Sequence, residues 1–183
     1  MRFLILLIST ISLFACKNQT ENHTNTLDCQ IDSIHVYYYN YLFNSIISRT
    51  CEDVIEKRYP IEDGDVIDTL ITNIEILRQI EAALLQLEAD IPYSQDTRFV
   101  AVVYWKSKEI SQVCIGGYFS TFIVWNGIRQ NENNELLYLL KLHSGYYSWL
   151  DDDEISAMPE LKDTTFLREI DIIAERKRHQ SFY

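Results

Sequence analysis

The sequence has few residues of the kinds that make flexible linkers and phosphate-binding loops. Only 5 glycines and 3 prolines occur among 183 residues, so we expect neither long flexible linkers nor a glycine-rich phosphate loop. Basic residues are also scarce, because 16 Lys plus Arg face 27 Asp plus Glu and leave a formal net charge of -11. A nucleic-acid binder needs a basic surface, so the sequence predicts no nucleic-acid partner.

The chain also lacks the short motifs that identify common enzymes and metal sites. It contains no GxSxG, SxxK or HExxH string, which are signatures of common hydrolases. It contains no CxxC pair, which argues against a zinc ribbon and a thioredoxin-type site. A cysteine–histidine pair, Cys114 with His35 or Cys51 with His143, stays open as a catalytic alternative, although we favour structural roles for these residues. We predict no catalytic residue, no cofactor and no metal site.

The composition that remains is that of a globular protein. Hydrophobic residues make up 47% of the chain, charged residues 23% and aromatic residues 13%. The length corresponds to about one domain by the usual prior. These values exclude a disordered tail, a collagen-like fibre and a protein with many membrane spans.

The N-terminus reads MRFLILLISTISLFAC. Arg2 precedes an apolar stretch that is too short to span a bilayer and is typical of a secretory signal peptide. The last four of these residues, Leu13-Phe14-Ala15-Cys16, resemble the lipobox of bacterial lipoproteins. The resemblance implies cleavage after Ala15 and acylation of Cys16 with a lipid such as palmitate. The alternative is an ordinary signal peptide that happens to contain Cys16.

The residues that follow Cys16 predict where the protein is anchored and how its chain is divided. In Gram-negative lipoproteins, an Asp directly after the lipidated cysteine favours retention in the inner membrane. Lys17 occupies that position here, so the resemblance implies the outer membrane of the cell envelope. Residues 17–26 contain no apolar side chain and are typical of a solvated tether. We therefore predict a signal peptide over residues 1–15, a lipidated cysteine and tether over 16–30, and one domain over 31–183.

Three cysteines remain once Cys16 is assigned to the lipid. An exported protein meets oxidising conditions, so a disulfide among Cys29, Cys51 and Cys114 is plausible, and three pairings are open. We favour Cys51 with Cys114, because Cys29 lies at the end of the tether. The alternative is three buried free thiols that act as small hydrophobic side chains.

Hydrophobic periodicity predicts an α+β domain with an antiparallel sheet of about four strands. Alternation and β-branched residues predict strands over residues 31–43, 98–105, 110–115 and 118–125, with hairpin turns at Gly116-Gly117 and Asn126-Gly127. A three-and-four spacing of apolar residues predicts a long helix over 66–87 with Asp65 as its N-cap, and a short helical turn over 51–58. Two C-terminal helices are predicted, one over 133–143 with Gly145 after it and one from residue 164 onwards. Strands followed by helices without alternation indicate the α+β class.

Two groups of side chains are candidates for a binding surface. Tyr37 and Tyr39 share a strand face with His35, and Trp125 could extend an aromatic face for a protein or sugar partner; the alternative is that both sheet faces are packed. The run Asp151-Asp152-Asp153-Glu154 lacks the alternating oxygens and central glycine of a calcium loop, so helix capping explains it better than a metal. The candidate binding residues are therefore Tyr37, Tyr39, Trp125, Asp151, Asp152 and Asp153.

These observations favour a membrane-anchored lipoprotein that works by binding. An acidic domain without catalytic motifs is typical of an inhibitor or immunity-type protein that masks a basic protein partner, with an acidic patch expected around residues 151–160. The alternative is a glycan-binding or small-ligand-binding lipoprotein that uses the aromatic sheet face. An uncharacterised envelope enzyme is a third possibility.

Overall fold

The computed structural model describes residues 28–40, 48–58, 65–91, 96–117 and 120–163. Within these ranges one antiparallel sheet contains six strands in the order β2-β1-β3-β4-β5-β6, with two long helices against one face. The strands are β1 (Ile31–Tyr39), β2 (Val66–Ile71), β3 (Phe99–Trp105), β4 (Ile110–Ile115), β5 (Ile123–Trp125) and β6 (Ile128–Gln130). The helices are α1 (Cys51–Ile55), α2 (Ile74–Leu84), α3 (Asn134–His143) and α4 (Asp152–Ala157), with 3-10 turns at Tyr146–Trp149 and Pro159–Lys162.

The predicted α+β class and the antiparallel sheet are confirmed. Every strand pair in the described part of the chain runs antiparallel. The sheet is larger than the predicted four strands, because β2 and β6 were not recognised as strands in the sequence. The signal peptide, Cys16, most of the tether and the helix predicted from residue 164 lie outside the described residues.

The helix predicted over residues 66–87 is wrong in its first third. Val66–Ile71 forms β2, which pairs with β1, and α2 begins only at Ile74. The apolar residues of this stretch fit the spacing of a helix and also that of a strand. Their β-branched side chains favour a strand, and β1 is available to pair with it. The N-cap of α2 is therefore Asn73, whose side chain accepts hydrogen bonds from two backbone amides, and not Asp65.

The hairpin at Asn126-Gly127 is confirmed and leads into the unpredicted strand β6. Both turn residues have positive φ, 48° and 80°, as this two-residue hairpin turn requires. The strand predicted over 118–125 is shorter than expected, because β5 begins at Ile123. Residues 118 and 119 lie outside the described part of the chain.

The main core lies between the sheet and helices α2 and α3. Prediction of α3 is confirmed, with Asn133 as its N-cap and Gly145 after it in the left-handed conformation at φ 79°. Inward-facing side chains of alternate strand positions pack against the apolar faces of both helices, including Ile34, Val36, Tyr38, Phe99, Val103, Leu77, Ile80, Leu136 and Leu140. These contacts position the residues that follow α3.

The opposite sheet face carries a smaller core that α1 covers at one end. Tyr39, Val66, Val100 and Val102 pack there with Val54 of α1. The disulfide between Cys51 and Cys114 joins α1 to β4, which confirms the favoured pairing, with a Cα–Cα distance of 5.9 Å. The short helix is therefore held to the sheet covalently as well as by packing.

Cys29 belongs to the folded core and not to a tether. Its thiol is buried and contacts the carbonyl oxygen of Ile31, and burial raises its pKa to about 11. The backbone amide of Gln30 donates to the carboxylate of Glu81 on α2. The tether predicted over residues 16–30 therefore extends too far at its end, because Cys29 is buried in the core and Gln30 is hydrogen-bonded to α2.

Candidate functional site

The three aromatic residues predicted to form one binding face lie on two faces of the sheet. Tyr37 and Tyr39 belong to the side covered by α1, whereas Trp125 packs against the main core on the side of α2 and α3. The Trp125 ring meets that of Trp105 edge to face, at 6.4 Å between centroids. Tyr39 is buried, and its hydroxyl donates to the carbonyl oxygen of Arg58. A single platform of these three rings is therefore ruled out.

A half-exposed polar network surrounds Tyr37 instead. The Tyr37 hydroxyl and Nδ1 of His35 share a hydrogen bond of 2.9 Å, and their rings lie 4.4 Å apart. Nε2 of His35 is 3.9 Å from Asp68 on β2, and Lys57 donates to Asp68 at 2.7 Å. The register of β1 against β2 sets this arrangement, because Tyr37 pairs with Asp68 and His35 with Leu70. We call these four residues, Tyr37, His35, Asp68 and Lys57, the sheet-face network.

The electrostatics of the sheet-face network suit hydrogen bonding better than nucleophilic chemistry. Burial, with smaller effects from Tyr104 and Asp68, raises the pKa of Tyr37, so its hydroxyl stays protonated. The hydrogen bond from Lys57 is the largest cause that lowers the pKa of Asp68, so this carboxylate stays charged. The two thiols that the sequence offers as partners of histidines are joined in the Cys51–Cys114 disulfide. The network offers a ligand one hydroxyl, one imidazole and one carboxylate.

The predicted acidic residues lie at the start of helix α4. The side chain of Asp151 accepts from the amide of Glu154, and the Glu154 carboxylate accepts from the amide of Asp151. This capping box assigns the N-cap to Asp151. Asp151, Asp152 and Asp153 are all exposed. The expected extension of this patch to residue 160 is wrong, because Glu160 is completely buried.

Trp149 lies beside these acids in the chain and keeps part of its ring in solvent. Its indole Nε1–H donates to the hydroxyl of Tyr38 at 3.1 Å, and 38% of the residue is exposed. The Tyr38 hydroxyl in turn donates to the carbonyl oxygen of Ser144 after α3. The hydrogen bond to Tyr38 therefore holds the Trp149 ring in one orientation on the domain. We call Trp149 with Asp151, Asp152 and Asp153 the acidic surface.

A buried charged cluster lies under the same segment of chain. Nζ of Lys141 on α3 is 2.6 Å from Oε1 of Glu160, and the side chains are 2% and 0% exposed. The Tyr147 hydroxyl donates to the same oxygen at 3.1 Å, and Lys141 Nζ lies 5.5 Å from the centre of the Tyr146 ring. Glu160 Oε2 has no hydrogen-bond partner in the described part of the chain. We call Lys141, Glu160 and Tyr147 the buried cluster.

Sequence reasoning missed both Trp149 and the buried cluster. One signal for the cluster was available, since Lys141 follows four leucines and a tyrosine in α3 and lies four residues after Leu137 on its apolar side. No comparable signal marked Glu160, because one acid among 27 has no distinguishing context. Tyr146 and Tyr147 are aromatic neighbours of Trp149 but are buried. The sequence alone therefore does not show that Trp149 is the exposed ring of the three.

Comparisons with known proteins give no assignment for this site. No family model, no curated protein and no solved structure matches the chain. Across the described ranges, no group of three His, Cys, Asp or Glu side chains is placed to bind a metal ion. None of the helices described is both long enough and apolar enough to cross a membrane. The candidate sites therefore depend on their own geometry.

Proposed function

We propose that this protein is an exported lipoprotein, anchored through Cys16 in the cell envelope, that binds a basic protein partner through the acidic surface. In this role it acts as an inhibitor or immunity-type protein. The lipobox-like sequence and the lysine after Cys16 support an outer-membrane anchor in a Gram-negative bacterium. The observation that carries the binding role is a partly exposed tryptophan that is held by a hydrogen bond to Tyr38 and followed in the chain by three exposed aspartates.

The chemistry of the acidic surface matches that of protein-binding hot spots. Tryptophan is enriched among the residues that dominate interface energetics, because it buries a large area at low entropic cost. The hydrogen bond from Trp149 to Tyr38 fixes the ring before a partner arrives, which lowers the ordering cost of binding. The exposed carboxylates that follow Trp149 in the chain would supply polar and charged groups to the same interface.

The overall charge supports a basic partner. A net charge of -11 and the run of exposed acids create a negative potential that attracts positive surfaces. Such attraction accelerates encounter and weakens as salt is added, since the Debye length falls from about 10 Å at 0.1 M to about 3 Å at 1 M. Salt sensitivity is therefore a property that the proposal requires.

The experiment is capture of envelope proteins by the full-length lipoprotein at low and at high salt, in parallel with Trp149→Ala. We expect a basic protein to be retained by the native chain at low salt, released at high salt, and retained much less by W149A. Trp125→Phe is the matched control, because it changes a tryptophan away from the acidic surface. Equal retention by the native chain and W149A, or retention that does not respond to salt, would contradict the proposal.

Glycan or small-ligand binding at the sheet-face network is the second candidate. Its support is the half-exposed cluster of Tyr37, His35 and Asp68, which offers rings and hydrogen-bonding groups together. Sugar binding uses such combinations of aromatic faces and carboxylates. A glycan screen with the native chain and with Asp68→Asn tests it. Binding that D68N abolishes would favour this function over the first.

A further inference from the structure

The buried cluster pairs an amine and a carboxyl group with almost no access to water. Lys141 lies on α3 and Glu160 in the 3-10 turn Pro159–Lys162, so the two groups belong to elements separated along the chain. Their side chains are 2% and 0% exposed, and only 2.6 Å separates Nζ from Oε1. The rings of Tyr146 and Tyr147 and the side chain of Met158 are buried in the same core. The surroundings are therefore apolar and aromatic.

Such surroundings offer little solvation to an ion pair. Removing two ions from water costs several kcal/mol each, and their attraction offsets this only when the remaining polar atoms also find partners. Glu160 Oε2 finds none among the described residues. Burial also lowers the pKa of Lys141, in spite of the opposing effect of Glu160. Transfer of one proton from the ammonium to the carboxylate gives a neutral amine beside a neutral carboxylic acid.

We propose that Lys141 and Glu160 condense to an intramolecular isopeptide bond between Nζ and Cδ. The amine lone pair attacks Cδ of the protonated carboxyl group and a tetrahedral intermediate forms. Nζ then loses a proton to the departing oxygen, the Cδ–Oε2 bond breaks, and one water leaves. The ammonium and carboxylate together thus give one amide and one water, so neither an oxidant nor an activated co-reactant is required.

The contacts on the two carboxyl oxygens distinguish their roles in this step. Oε1 accepts a hydrogen bond from Tyr147, which would stabilise the negative charge that develops on this oxygen in the intermediate. Oε2 has no hydrogen-bond partner among the described residues, so in this step it carries the carboxyl proton, takes a second proton from Nζ in the tetrahedral intermediate and leaves as water. Burial holds the reacting groups together at a high effective concentration and keeps out the water that would favour hydrolysis.

The bond would close a loop around the acidic surface. Lys141 precedes Trp149 and Glu160 follows Asp151–Asp153, so the cross-link would clamp both ends of the segment that carries these residues onto α3. This role is independent of whether the acidic surface binds a partner. It gives the segment a covalent anchor on the helix side of the sheet, as the Cys51–Cys114 disulfide does for α1 on the other side.

Tryptic peptide mapping of the full-length protein tests the bond directly. Between Arg129 and Lys162 the only lysine or arginine is Lys141. An amide at Lys141 removes the charge that trypsin recognises, so we expect residues 130–162 to remain one peptide with the mass of that stretch minus one water. Separate peptides over 130–141 and 142–162, or an uncut peptide of full mass, would overturn the proposal.

Two variants locate the chemistry. Lys141→Arg keeps a cation and a tryptic site but offers no attacking amine. We therefore expect trypsin to cut after position 141 and the two peptides, 130–141 and 142–162, to have masses without any loss of water. Tyr147→Phe keeps the ring and removes the hydroxyl, so the mass-deficient peptide should form at least about tenfold more slowly in a time course after cell-free synthesis. A mass deficit that persists in K141R would place the water loss elsewhere and overturn the assignment.

Discussion

The segment from Tyr146 to Lys162 has two parts with opposite properties. Tyr147, Met158 and Glu160 are buried against α3, whereas Trp149 and the three aspartates after it face solvent. The buried part fixes the position of the segment, and the exposed part presents an aromatic ring and negative charge. The buried residues therefore hold the segment on the domain, and the exposed residues are the ones to which we assign binding in the proposed function.

Two lysine–carboxylate pairs have nearly the same N–O distance but differ in burial, and burial decides how much each contributes to stability. The pair of Lys141 and Glu160 has an N–O distance of 2.6 Å, and that of Lys57 and Asp68 has 2.7 Å. The first pair is 2% and 0% exposed, and the second is 49% and 45% exposed. Solvent screens the second pair, so its geometry contributes little to stability, whereas breaking the first leaves a buried polar group without its partner.

Lys141→Met should produce the largest loss of stability. Removal of the amine leaves Glu160 buried without its partner and prevents any bond between them, which costs about 3–5 kcal/mol. The free energy of unfolding in urea measures this loss. Lys57→Met is the matched control, since the same substitution in the exposed pair should cost only about 0.2–1 kcal/mol. Similar losses in both variants would contradict the distinction between the two pairs.

Removal of the disulfide should be next in size. Replacement of both Cys51 and Cys114 by alanine releases the covalent link between α1 and β4, and the unfolded chain regains entropy worth about 2–4 kcal/mol. The urea midpoint of the double variant under non-reducing conditions measures this effect. Reduction of the native protein should lower the midpoint by a similar amount, and no change on reduction would argue against the link in solution.

Asp151→Ala should have a smaller effect that depends on capping. Its side chain accepts from the amide of Glu154, so the loss should be about 1 kcal/mol. Asp153→Ala removes the same charge from the same helix end without removing the cap, and it should cost less. Thermal unfolding of the two variants compares them. Equal losses would mean that charge, and not the hydrogen bond of the cap, stabilises this helix end.

The smallest effect concerns the titration of Asp68. Lys57 lowers the pKa of this carboxyl, so its contribution to stability is present above the usual aspartate pKa and is lost as pH falls through the lowered value. Lys57→Met should move the pKa of Asp68 upward toward its usual range. NMR titration of the side-chain carboxyl measures the shift. An unchanged pKa of Asp68 in K57M would show that Lys57 does not cause the lowered pKa.

Local signals in the sequence were sufficient for part of the fold. The alternation in β1, the Asn126-Gly127 turn and the apolar pattern of α3 each have a short-range physical cause, and the structure has all three. The Cys51–Cys114 pairing was favoured because one cysteine of three stood at the predicted edge of the domain. These features need no knowledge of distant contacts.

The features that the sequence did not predict depend on distant partners. Residues 66–71 fit a helix or a strand by spacing, and only pairing with β1 decides for the strand. Trp125 lies on the other face from Tyr37 and Tyr39, and only the register of β5 against β4 sets which face it occupies. Glu160 and Lys141 meet through the return of the chain after α4. For such contacts a single sequence offers no local cause.

The most direct test of the account measures partner binding and stability together in Trp149→Ala. Salt-sensitive capture of a basic envelope protein should fall at least about tenfold, as is usual for the loss of an interface hot spot. The free energy of unfolding should change much less than in Lys141→Met. Undiminished capture by W149A, with its fold intact, would contradict the assignment of recognition to the acidic surface.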